Sequence, residues 1–546
     1  MNQIFKQLLE SRGLKTEAQR KAFLHPDYEK LADPFLLPDV KKAVSRLKKA
    51  KTKKEQVVIY GDYDIDGLSA TALLIDAFNQ FGLNVSAFIP SRFDDGYGLS
   101  SDAIDILAED GAQLIVTVDC GSLSIDEVAH AKKIGVDIIV TDHHNIGDKL
   151  PDAVAVINPK RDDHKYPFRD FSGVGVAFGL VRAMQKEIKG LEIGHEKWLL
   201  DLVALGTVCD IVSLTGENRV LAFWGLKVMS QARRPGLKAL MAVAAIKPNE
   251  VNARSLGFGL GPRLNASGRL ETAQLSLDLL IADDHSKALR LAQELDNMNV
   301  ARRKDQNKIF FEAITQAGSF SDHDVLVLSN ANWSHGIVGI VAAKILEKFH
   351  KPTFVLQEIG DETKGSARSF GDFSVGEAIR YSEKHIIKGG GHTLAAGVTL
   401  ETIKIDDFRS SVNTYYQSLK LQNQKEHLLP KAEVTLASFE GIDEEVVQSI
   451  SQLEPFGQDN PQPVFLFENL TVEQTRKMGD QNQHVKLKLK DNSGNSMQFL
   501  AFSAPEHYFV EPGEKVNVWC SIDINEWQGN RNVEGRILEV ALPSLL

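Results

Sequence analysis

Four groups of acidic and histidine side chains have the types and spacing that bind divalent metal ions. They are Asp62, Asp64 and Asp66; Asp119; Asp142, His143 and His144; and Asp210. Alternate residues of an extended segment point to the same side, so the three acids of the first group can converge on one point. Carboxylates that crowd into one cleft cannot all ionise unless cations offset their repulsion. The residue types therefore predict a metal centre.

The ligand types also indicate which metal binds and what it does. Carboxylate and imidazole ligands together suit Mn²⁺, or Mg²⁺ that keeps more of its water. Two such ions, roughly 3.5–4 Å apart, can activate a water molecule and stabilise the leaving oxygen of a phosphoryl transfer. The sequence therefore predicts a two-metal hydrolase that uses Mn²⁺ or Mg²⁺.

The apolar runs between these groups indicate the elements that position them. Runs rich in Val and Ile predict strands at Val57–Tyr60, Val85–Ile89, Leu114–Val118, Val136–Val140 and Ala153–Ile157. Helical stretches lie between several of them, at Ser69–Phe81 and Ser124–Ile134. Strands that alternate with helices indicate a parallel sheet with right-handed crossovers, whose ligands bind outside the carboxyl ends of the strands. Because the first three groups each follow a predicted strand, we expect their side chains to meet in one crevice.

Each group also has a simpler interpretation. A single Asp after a strand is usually a helix N-cap or a turn residue, and adjacent histidines often have no function. The first group resembles part of a calcium loop, but the Glu that such a loop requires is replaced by Leu73. It also fits the DxD motif of haloacid-dehalogenase-type phosphatases, whose chemistry leaves Asp142, His143 and His144 without a role. A metal centre accounts for all four groups together.

The composition is that of an ordinary globular protein. The chain has 546 residues, of which 43% are apolar and 25% charged, and this length suggests three or four domains. The apolar runs are much shorter than the ~20 residues of a membrane span, and the N-terminus has no apolar signal segment, so we expect no membrane association. The three cysteines, Cys120, Cys209 and Cys520, form no CxxC pair, which favours the reducing cytoplasm.

The formal net charge of −11 argues, taken alone, against a nucleic-acid partner. Metal ions at the carboxylate site would offset part of that charge. A basic run also occurs without an acid inside it: Lys41, Lys42, Arg46, Lys48, Lys49, Lys51, Lys53 and Lys54. Such a run is typical of a solvated helix face followed by a loop. The alternative is a surface that contacts phosphates.

The pattern changes several times along the rest of the chain. Residues 1–45 predict short helices that are broken by Pro26, Pro34 and Pro38. Residues 286–317 contain no Gly or Pro, which predicts one helix of roughly 48 Å, long enough to connect two domains.

The C-terminal part predicts a second α/β segment and then a small barrel. Strands are expected near Val325–Leu328 and Thr353–Leu356. After about residue 428 the sequence pattern predicts β-strands only, and apolar residues alternate with Lys486, Lys488 and Lys490. Several short strands in this region favour an OB-like barrel.

Four segments resemble, in order, the motifs of the DHH phosphoesterases, and in particular of the RecJ branch of that family. They are GDYDIDGLSA, VTVDCG, TDHHN and VCDIVSL. The resemblance continues along nearly the whole chain, in LADPFLLPDV, SGVGVAF, GPRLNASGRL, WSHGIVGIVAAK, GSARSF and GGGHTLAAG. The last two are similar to the DHH-associated substrate domain. DxDxDG alone is a weak signal, whereas the ordered series is specific.

Together, pattern and resemblance imply an α/β fold. A parallel-sheet DHH domain would be joined by a long helix to a second, DHH-associated α/β domain, followed by a C-terminal all-β OB-like barrel. The expected divisions are an N-terminal helical segment (1–45), the DHH catalytic domain (46–215), a helical region with the connector helix (216–317), the DHH-associated substrate-binding domain (318–425) and the OB-fold domain (426–546).

The resemblance also implies roles for individual residues. The expected metal ligands are Asp64, Asp66, Asp119, His143 and Asp210, with Asp62 either a ligand or a residue that orients the others. His144 would contact the scissile phosphate or supply a proton, and Asp142 would fix a histidine tautomer. A 5′-terminal phosphate would be held by Arg92, Ser366, Arg368, His392 and the backbone of Gly389, Gly390 and Gly391. Arg263, Asn265 and Arg269 would line the path of the strand, and the lysine face of the barrel would follow its backbone.

The activity that the resemblance implies is hydrolysis of single-stranded DNA from the 5′ end by two ions of Mn²⁺ or Mg²⁺, in DNA repair and recombination. An oligoribonuclease or a cyclic-dinucleotide phosphodiesterase of the same family is the alternative, although such chains lack the barrel. A Cdc45-like DNA-binding scaffold is the non-enzymatic alternative, although such proteins have lost metal ligands that this chain keeps. The resemblance further implies a cytoplasmic monomer that works with a single-strand-binding protein and a helicase.

Overall fold

The computed structural model describes residues 2–90, 98–270, 273–422, 427–527 and 529–543. The chain separates into two compact units. The first unit comprises Arg12–Asn299 and Gln448–Gln462, and the second comprises Met1–Ser11, Val300–Val447 and Pro463–Leu546. None of the helices in the described ranges is long and apolar enough to cross a membrane.

The helices are numbered in chain order. They are α1 Gln3–Ser11, α2 Glu17–Leu24, α3 Val40–Lys53, α4 Ile65–Phe81, α5 Ser101–Glu109, α6 Ile125–Lys133, α7 Gly173–Glu187, α8 Leu200–Cys209, α9 Gly216–Met229, α10 Pro235–Val243, α11 Ala253–Ser255, α12 Gly261–Leu270, α13 Gln274–Leu280, α14 His285–Gly318, α15 His335–Phe349, α16 Val375–Tyr381, α17 Ile405–Ser418 and α18 Glu444–Ser451. A π-helical turn, Leu256–Leu260, joins α11 to α12. Short 3₁₀ turns lie at Tyr28–Lys30, Pro34–Leu36, His195–Leu199, Pro248–Glu250, Glu383–His385, Thr402–Lys404 and Glu506–Tyr508.

The first unit contains a five-stranded parallel sheet, as the sequence predicts. Its strands are β1 Gln56–Tyr60, β2 Asn84–Phe88, β3 Ala112–Val118, β4 Asp137–Thr141 and β5 Ala155–Ile157. They lie in the order β2-β1-β3-β4-β5, and every pair is parallel. Helices α4 and α7 pack on one face of the sheet, and α5 and α6 pack on the other. Covered on both faces, the central strands are buried.

The second unit contains a mixed sheet whose strands are β6 Leu326–Asn330, β7 Thr353–Ile359, β8 Glu362–Arg368, β9 Lys388–Gly391 and β10 Ala395–Glu401. Their order is β6-β7-β8-β10-β9. Strands β6 and β7 are parallel, whereas β8 pairs antiparallel with β7 and β10, and β9 pairs antiparallel with β10. Helix α15 packs on one face of this sheet, and α16 and α17 pack on the other.

A small barrel completes the second unit. Its strands are β11 Val434–Leu436, β12 Phe465–Met478, β13 His484–Lys490, β14 Ser496–Ala501, β15 Lys515–Trp527 and β16 Asn530–Ala541. The order β12-β13-β14-β16-β15 closes through pairing of β12 with β15, and β11 adds to β12 in parallel. This closed five-stranded barrel confirms the expected OB-like fold. The predicted connector helix is also confirmed, since α14 runs for 34 residues.

Candidate metal centre and phosphate-binding surface

The first acidic group lies where β1 ends and α4 begins. The Asp64 carboxylate caps α4, accepting hydrogen bonds from the backbone N–H groups of Asp66 and Gly67 at 2.9 and 3.0 Å. Asp66, in the first turn, accepts the backbone N–H of Val174 at 2.9 Å, from the N-terminus of α7. A Cβ atom at Gly67 would lie 2.7 Å from the Asp62 backbone nitrogen. Glycine is therefore needed for Asp62 and α4 to approach so closely.

Asp119, His143 and Asp210 join this group from other elements. Asp119 follows β3 with φ 62°, in the left-handed region, and such a backbone conformation is typical of functional sites. His143 follows β4, and its Nε2 lies 3.0 Å from Asp119 Oδ1, 3.6 Å from Asp210 Oδ2 and 3.9 Å from Asp66 Oδ2. Asp210 stands at the C-terminus of α8. The structure thus brings together acids that are separated by up to 148 residues (210 − 62) in the sequence.

The ligand atoms form three overlapping groups. Each contains side chains whose nitrogen or oxygen atoms lie within 4.8 Å of one another: Asp62, Asp64 and Asp119; Asp66, His143 and Asp210; and Asp119, His143 and His144. Asp119 and His143 each belong to two groups, so the groups overlap in a single cluster. Asp62 Oδ1 is buried and has no hydrogen-bond partner among the described residues. A buried acceptor left without a donor fits an oxygen that binds a cation.

The electrostatics favour divalent cations. Burial and the neighbouring Asp64 raise the pKa of Asp62 to about 7, and the same two causes raise the pKa of Asp210 to about 7. Burial and nearby carboxylates raise the pKa values of Asp66 and Asp119 well above the usual range. Burial and the His144 charge lower the pKa of His143 to about 4, so its imidazole is neutral and can bind metal. The residues present therefore fit a site for hard divalent metals.

Asp142 and His144 form a hydrogen-bonded pair beside this centre. Asp142 Oδ1 accepts the backbone N–H of His143 at 2.7 Å and His144 Nδ1 at 2.9 Å, and Oδ2 accepts the backbone N–H of Ser122 at 2.9 Å. Although burial opposes it, the bond from His144 lowers the pKa of Asp142. Burial also opposes the effect of Asp142 on His144, whose pKa is nevertheless raised. The His144 side chain is 44% exposed, so it can meet a ligand while Asp142 fixes its ring.

A lysine that the sequence reasoning missed lies at the same edge of the sheet. Lys160 follows β5, and its Nζ donates to Asn145 Oδ1 at 3.3 Å. Asn158 holds the backbone at this point, because it accepts the Lys160 N–H and donates to the His144 carbonyl, each at 2.9 Å. The positive charge of Lys160 helps to lower the pKa of His143. Lys160 could have been found from the sequence in the same way as the acids, because it also follows a predicted strand and such residues meet at one edge of a parallel sheet.

In the second unit, Ser366 and Arg368 lie two residues apart on β8 and so share one face of the sheet. Helix α15 crosses this face at Gly339, where a Cβ atom would lie 3.3 Å from Ser366 Oγ and 3.4 Å from Arg368 Nη2. Gly339 is in the second turn of α15, so the N-terminal part of the helix lies beside both side chains. A helix N-terminus favours anions, and a serine and an arginine can bind phosphate directly.

The triple-glycine segment lies in a strand. Gly389, Gly390 and Gly391 are in β9, an edge strand that pairs with β10. Gly391 has φ 153°, and a Cβ atom there would lie 2.5 Å from the Ala395 carbonyl oxygen, so packing against β10 requires this glycine. The segment and His392 are exposed. Being at an edge, β9 keeps some backbone N–H groups available to a ligand.

Among the residues expected to line the path of the strand, Arg263 already has partners within the protein. Arg263 Nε lies 2.8 Å from Asp296 Oδ1, and its Nη1 donates to the Gly259 carbonyl at 2.8 Å. Asn265 is half-buried on α12. Arg92 and the side chain of Arg269 lie outside the described residues.

The lysine face of the barrel is largely neutralised. Lys486 lies 3.0 Å from Glu534, and Lys488 lies 2.9 Å from Glu473. Lys490 is exposed. This face therefore carries less free positive charge than the alternation along β13 suggests.

Three family models match the sequence. The model described as "DHH family, N-terminal domain" matches residues 56–207, the "DHHA1 domain" matches 322–418, and the "RecJ OB domain" matches 435–539. The first match contains all the acids and histidines of the metal centre except Asp210. The second contains Ser366 and Arg368.

Relatives extend the similarity over most of the chain. The single-stranded-DNA-specific exonuclease RecJ of Bacillus subtilis (strain 168) is 36% identical over 542 residues, which cover 98% of this chain and 67% of that protein. The protein of the same name from Escherichia coli (strain K12) is also 36% identical, over 91% of this chain and 89% of that protein. The fold is similar to the crystal structure of RecJ in complex with Mn²⁺ from Thermus thermophilus, with a TM-score of 0.83 and 28% identity over 100% of this chain and 76% of that chain. The Mg²⁺ complex from that organism gives a TM-score of 0.78 and 26% identity over 100% of this chain and 75% of that one.

Proposed function

Because this chain belongs to the RecJ family of single-stranded-DNA-specific exonucleases, a branch of the DHH phosphoesterases, we propose that it hydrolyses single-stranded DNA stepwise from the 5′ end. The observation that carries the proposal is the set of overlapping ligand groups that share Asp119 and His143. A scaffold without activity has no use for five buried or half-buried carboxylates that repel one another without cations.

The proposed ligands divide between two ions. Asp62, Asp64 and Asp119 would hold one ion, and Asp66, His143 and Asp210 the other. When bound, Mn²⁺ or Mg²⁺ supplies an activated water and offsets charge on the phosphate. The N-terminus of α7 holds Asp66 in place. Asp142 fixes the ring of His144, and His144 donates a hydrogen bond to the scissile phosphate or a proton to the leaving oxygen.

The polarity of cleavage requires a site that recognises one terminus, because the metal chemistry is the same at both ends. We propose that Ser366 and Arg368, beside the N-terminal turns of α15, bind the 5′-terminal phosphate. A terminal phosphate carries more charge than an internal diester, and a bidentate arginine responds to that charge. His392, Gly390 and Gly391 on and after β9 would complete this site, and Arg263, Asn265 and Arg269 would line the strand. Arg92 remains a proposed phosphate contact that lies outside the described residues.

The test uses strands labelled at the 5′ or the 3′ end, as DNA and as RNA, with Mn²⁺, Mg²⁺ or a chelator. We expect mononucleotides to be released from the 5′ end of single-stranded DNA, with no reaction in the chelator. Cleavage restricted to short RNA or to cyclic dinucleotides would favour the other members of the DHH family, although the match to a RecJ OB domain argues against both. DNA binding without metal-dependent hydrolysis would favour a scaffold.

The proposal includes the cellular setting and the organisation of the chain. We propose a cytoplasmic monomer that acts in DNA repair and recombination with a single-strand-binding protein and a helicase. We also propose the five divisions expected from the sequence, with boundaries near residues 45, 215, 317 and 425. Light scattering would measure the mass of the particle, and limited proteolysis would locate the boundaries. A stable dimer or cleavage inside a proposed domain would contradict these statements.

A further inference from the structure

Helix α3 carries lysines that the proposed catalytic chemistry does not use. It contains most of the basic run found in the sequence. One of these residues is internal, because Arg46 is buried and its guanidinium binds Glu55 and Asp137, the latter at 2.6 Å. Two more are held locally, since Lys42 forms an ion pair at 2.7 Å and Lys51 donates to a backbone carbonyl at 2.7 Å. Arg46, Lys42 and Lys51 therefore make contacts within the protein. Among the described residues, the side chains of the remaining lysines of the run have no such role.

The others form an exposed lysine row on α3 and its C-cap. Its members are Lys41, Lys48, Lys49, Lys53 and Lys54. Across the described parts of the chain, no acidic oxygen lies within 4.0 Å of their ammonium groups. Some exposed lysines elsewhere on the first unit are paired, as Lys132 is with Asp152 at 2.5 Å and Lys197 with Glu29 at 2.7 Å. Within the described ranges, a chain of net charge −11 thus keeps five neighbouring positive charges unpaired.

The spacing of the row fits a polyanion. Lys41 and Lys48 share one face of α3 and lie about 10 Å apart along its axis, and Lys49 and Lys53 lie about 6 Å apart. Lys41 and Lys48 also line a surface cavity of about 530 Å³ together with the ring of Phe35. Lysines that bind phosphates beside an aromatic ring that contacts bases are the usual means of holding a single strand.

Acids that also line this cavity do not cancel the charge of the row. They are Asp33 and Glu187, and Asp33 is already paired with Lys186 at 2.8 Å. Glu187 is one charge against the five of the row, so the surface of α3 remains positive.

The row also begins at the edge of the sheet that carries the metal centre. Asp39, which precedes α3, accepts the backbone N–H of Val156 in β5 at 3.3 Å and pairs with Arg161 at 2.7 Å. This point lies near the carboxyl end of β5, whereas α3 ends shortly before the first residue of β1, at the amino end of that strand. The lysine row therefore leads away from the carboxyl edge along the outside of the unit.

From these observations we propose that the lysine row of α3 binds the phosphate backbone of a single strand beyond the bond being cleaved. The inference rests on the proposed function only for the identity of the polyanion. Its consequence is that long strands are held more tightly than short ones and that this extra affinity depends on salt, because each neutralised phosphate releases counterions.

The test combines three substitutions, Lys41→Gln, Lys48→Gln and Lys49→Gln, in one full-length variant. All three side chains are exposed, so the fold should be kept, and circular dichroism checks this. The matched control replaces Lys132, Lys197 and Lys247 by Gln, which removes the same charge from ion-paired positions on the same unit. Binding is measured by fluorescence anisotropy in a chelator, so that no strand is cut, with oligodeoxythymidylates of about 60 and about 6 nucleotides.

For the long strand, the slope of log affinity against log salt should fall by about 2, because each phosphate contact of a single strand contributes about 0.7. Affinity at about 0.1 M salt should fall roughly 100-fold, while the short strand and the control variant should change much less. An unchanged slope, or an equal loss in the control, would overturn the inference. The salt slope tests DNA binding by the lysine row independently of catalysis. If the parent protein could not cleave single strands with Mn²⁺, that result would overturn the proposed function and not the role of the row.

Discussion

Removal of the divalent ions should make the first unit less stable as the pH rises, which is the reverse of what salt-bridged carboxylates produce. Raising the pKa of Asp62 from 3.8 to about 7 disfavours its ionisation in the folded protein by about 4 kcal/mol. The pKa of Asp210 is also raised to about 7. Since the two charges are linked through Asp64, the costs overlap, and we expect a total nearer 4 than 8 kcal/mol. A typical domain is stable by about 5–15 kcal/mol, so the loss is large.

The direction in which the stability changes with pH follows from the pKa values. A carboxyl group whose pKa is higher when folded stabilises the protein fully below its unfolded pKa, and that contribution is lost as the pH rises through the folded pKa. For Asp62 and Asp210 the loss therefore runs from about pH 4 to about pH 7. Asp66 and Asp119 act in the same direction, since burial and neighbouring carboxylates raise their pKa values as well. His143 acts in the opposite direction between about pH 4 and 6.5, because its pKa is lowered, but one histidine opposes four carboxylates.

The assay is scanning calorimetry at several values between about pH 5 and pH 8, with a chelator or with saturating Mn²⁺. In the chelator, the Tm of the first unit should fall as the pH rises. With Mn²⁺ the Tm should no longer fall as the pH rises, because the bound cations replace the protons. The difference in Tm between the Mn²⁺ sample and the chelator sample should therefore grow with pH. Asp210→Asn serves as the control, since removing one of the repelling charges should flatten the curve in the chelator. A Tm that is constant or rises with pH in the chelator would refute this account of the centre.

Three further predictions address individual residues. His143→Ala should abolish hydrolysis while leaving the affinity for single-stranded DNA in a chelator within a few fold, and near-normal turnover would remove the metal centre from the mechanism. Arg368→Ala should weaken binding of 5′-phosphorylated ends by ~10- to 150-fold, the worth of a charge-assisted hydrogen bond, and 5′-hydroxyl ends much less, under matched salt; equal losses on both would make Arg368 a general backbone contact. Arg219→Met should destabilise the first unit by about 3 kcal/mol, because its guanidinium donates to the carbonyls of Leu453 and Glu454, each at 2.8 Å; an unchanged unfolding transition would contradict this role.

The acids of the site could be predicted because a simple rule applies to them. Polar residues directly after apolar strands meet at the carboxyl edge of a parallel sheet, and Asp62, Asp119 and His143 follow that rule. Gly173 and Gly206 could not be predicted, because their role depends on distant parts of the chain. A Cβ atom at either glycine would lie within 2.7 Å of a carboxylate oxygen of Asp119 or Asp66. No local pattern in the sequence reports such a contact.

Side-chain partners are harder to predict than elements. Arg263 and Arg46 look alike in the sequence as exposed cations, yet the first is paired with Asp296 and the second is buried and paired with Glu55 and Asp137. Composition alone suggests a loop for the triple glycine, whereas pairing with β10 makes it an edge strand. Propensity describes the local chain, and pairing with another strand or with a distant acid overrides it.

A net charge of −11 does not conflict with a nucleic-acid substrate, because the position of the charges matters more than their sum. Six acids, Asp62, Asp64, Asp66, Asp119, Asp142 and Asp210, surround the metal centre. Two divalent ions would add four positive charges, which changes −11 to −7 (−11 + 4). Exposed charges further apart than about 10 Å are screened from one another at physiological salt. A phosphate at the centre therefore responds to the ions, His144 and Lys160, whereas one beside α3 responds to its lysines, and acids elsewhere on the surface contribute little to either.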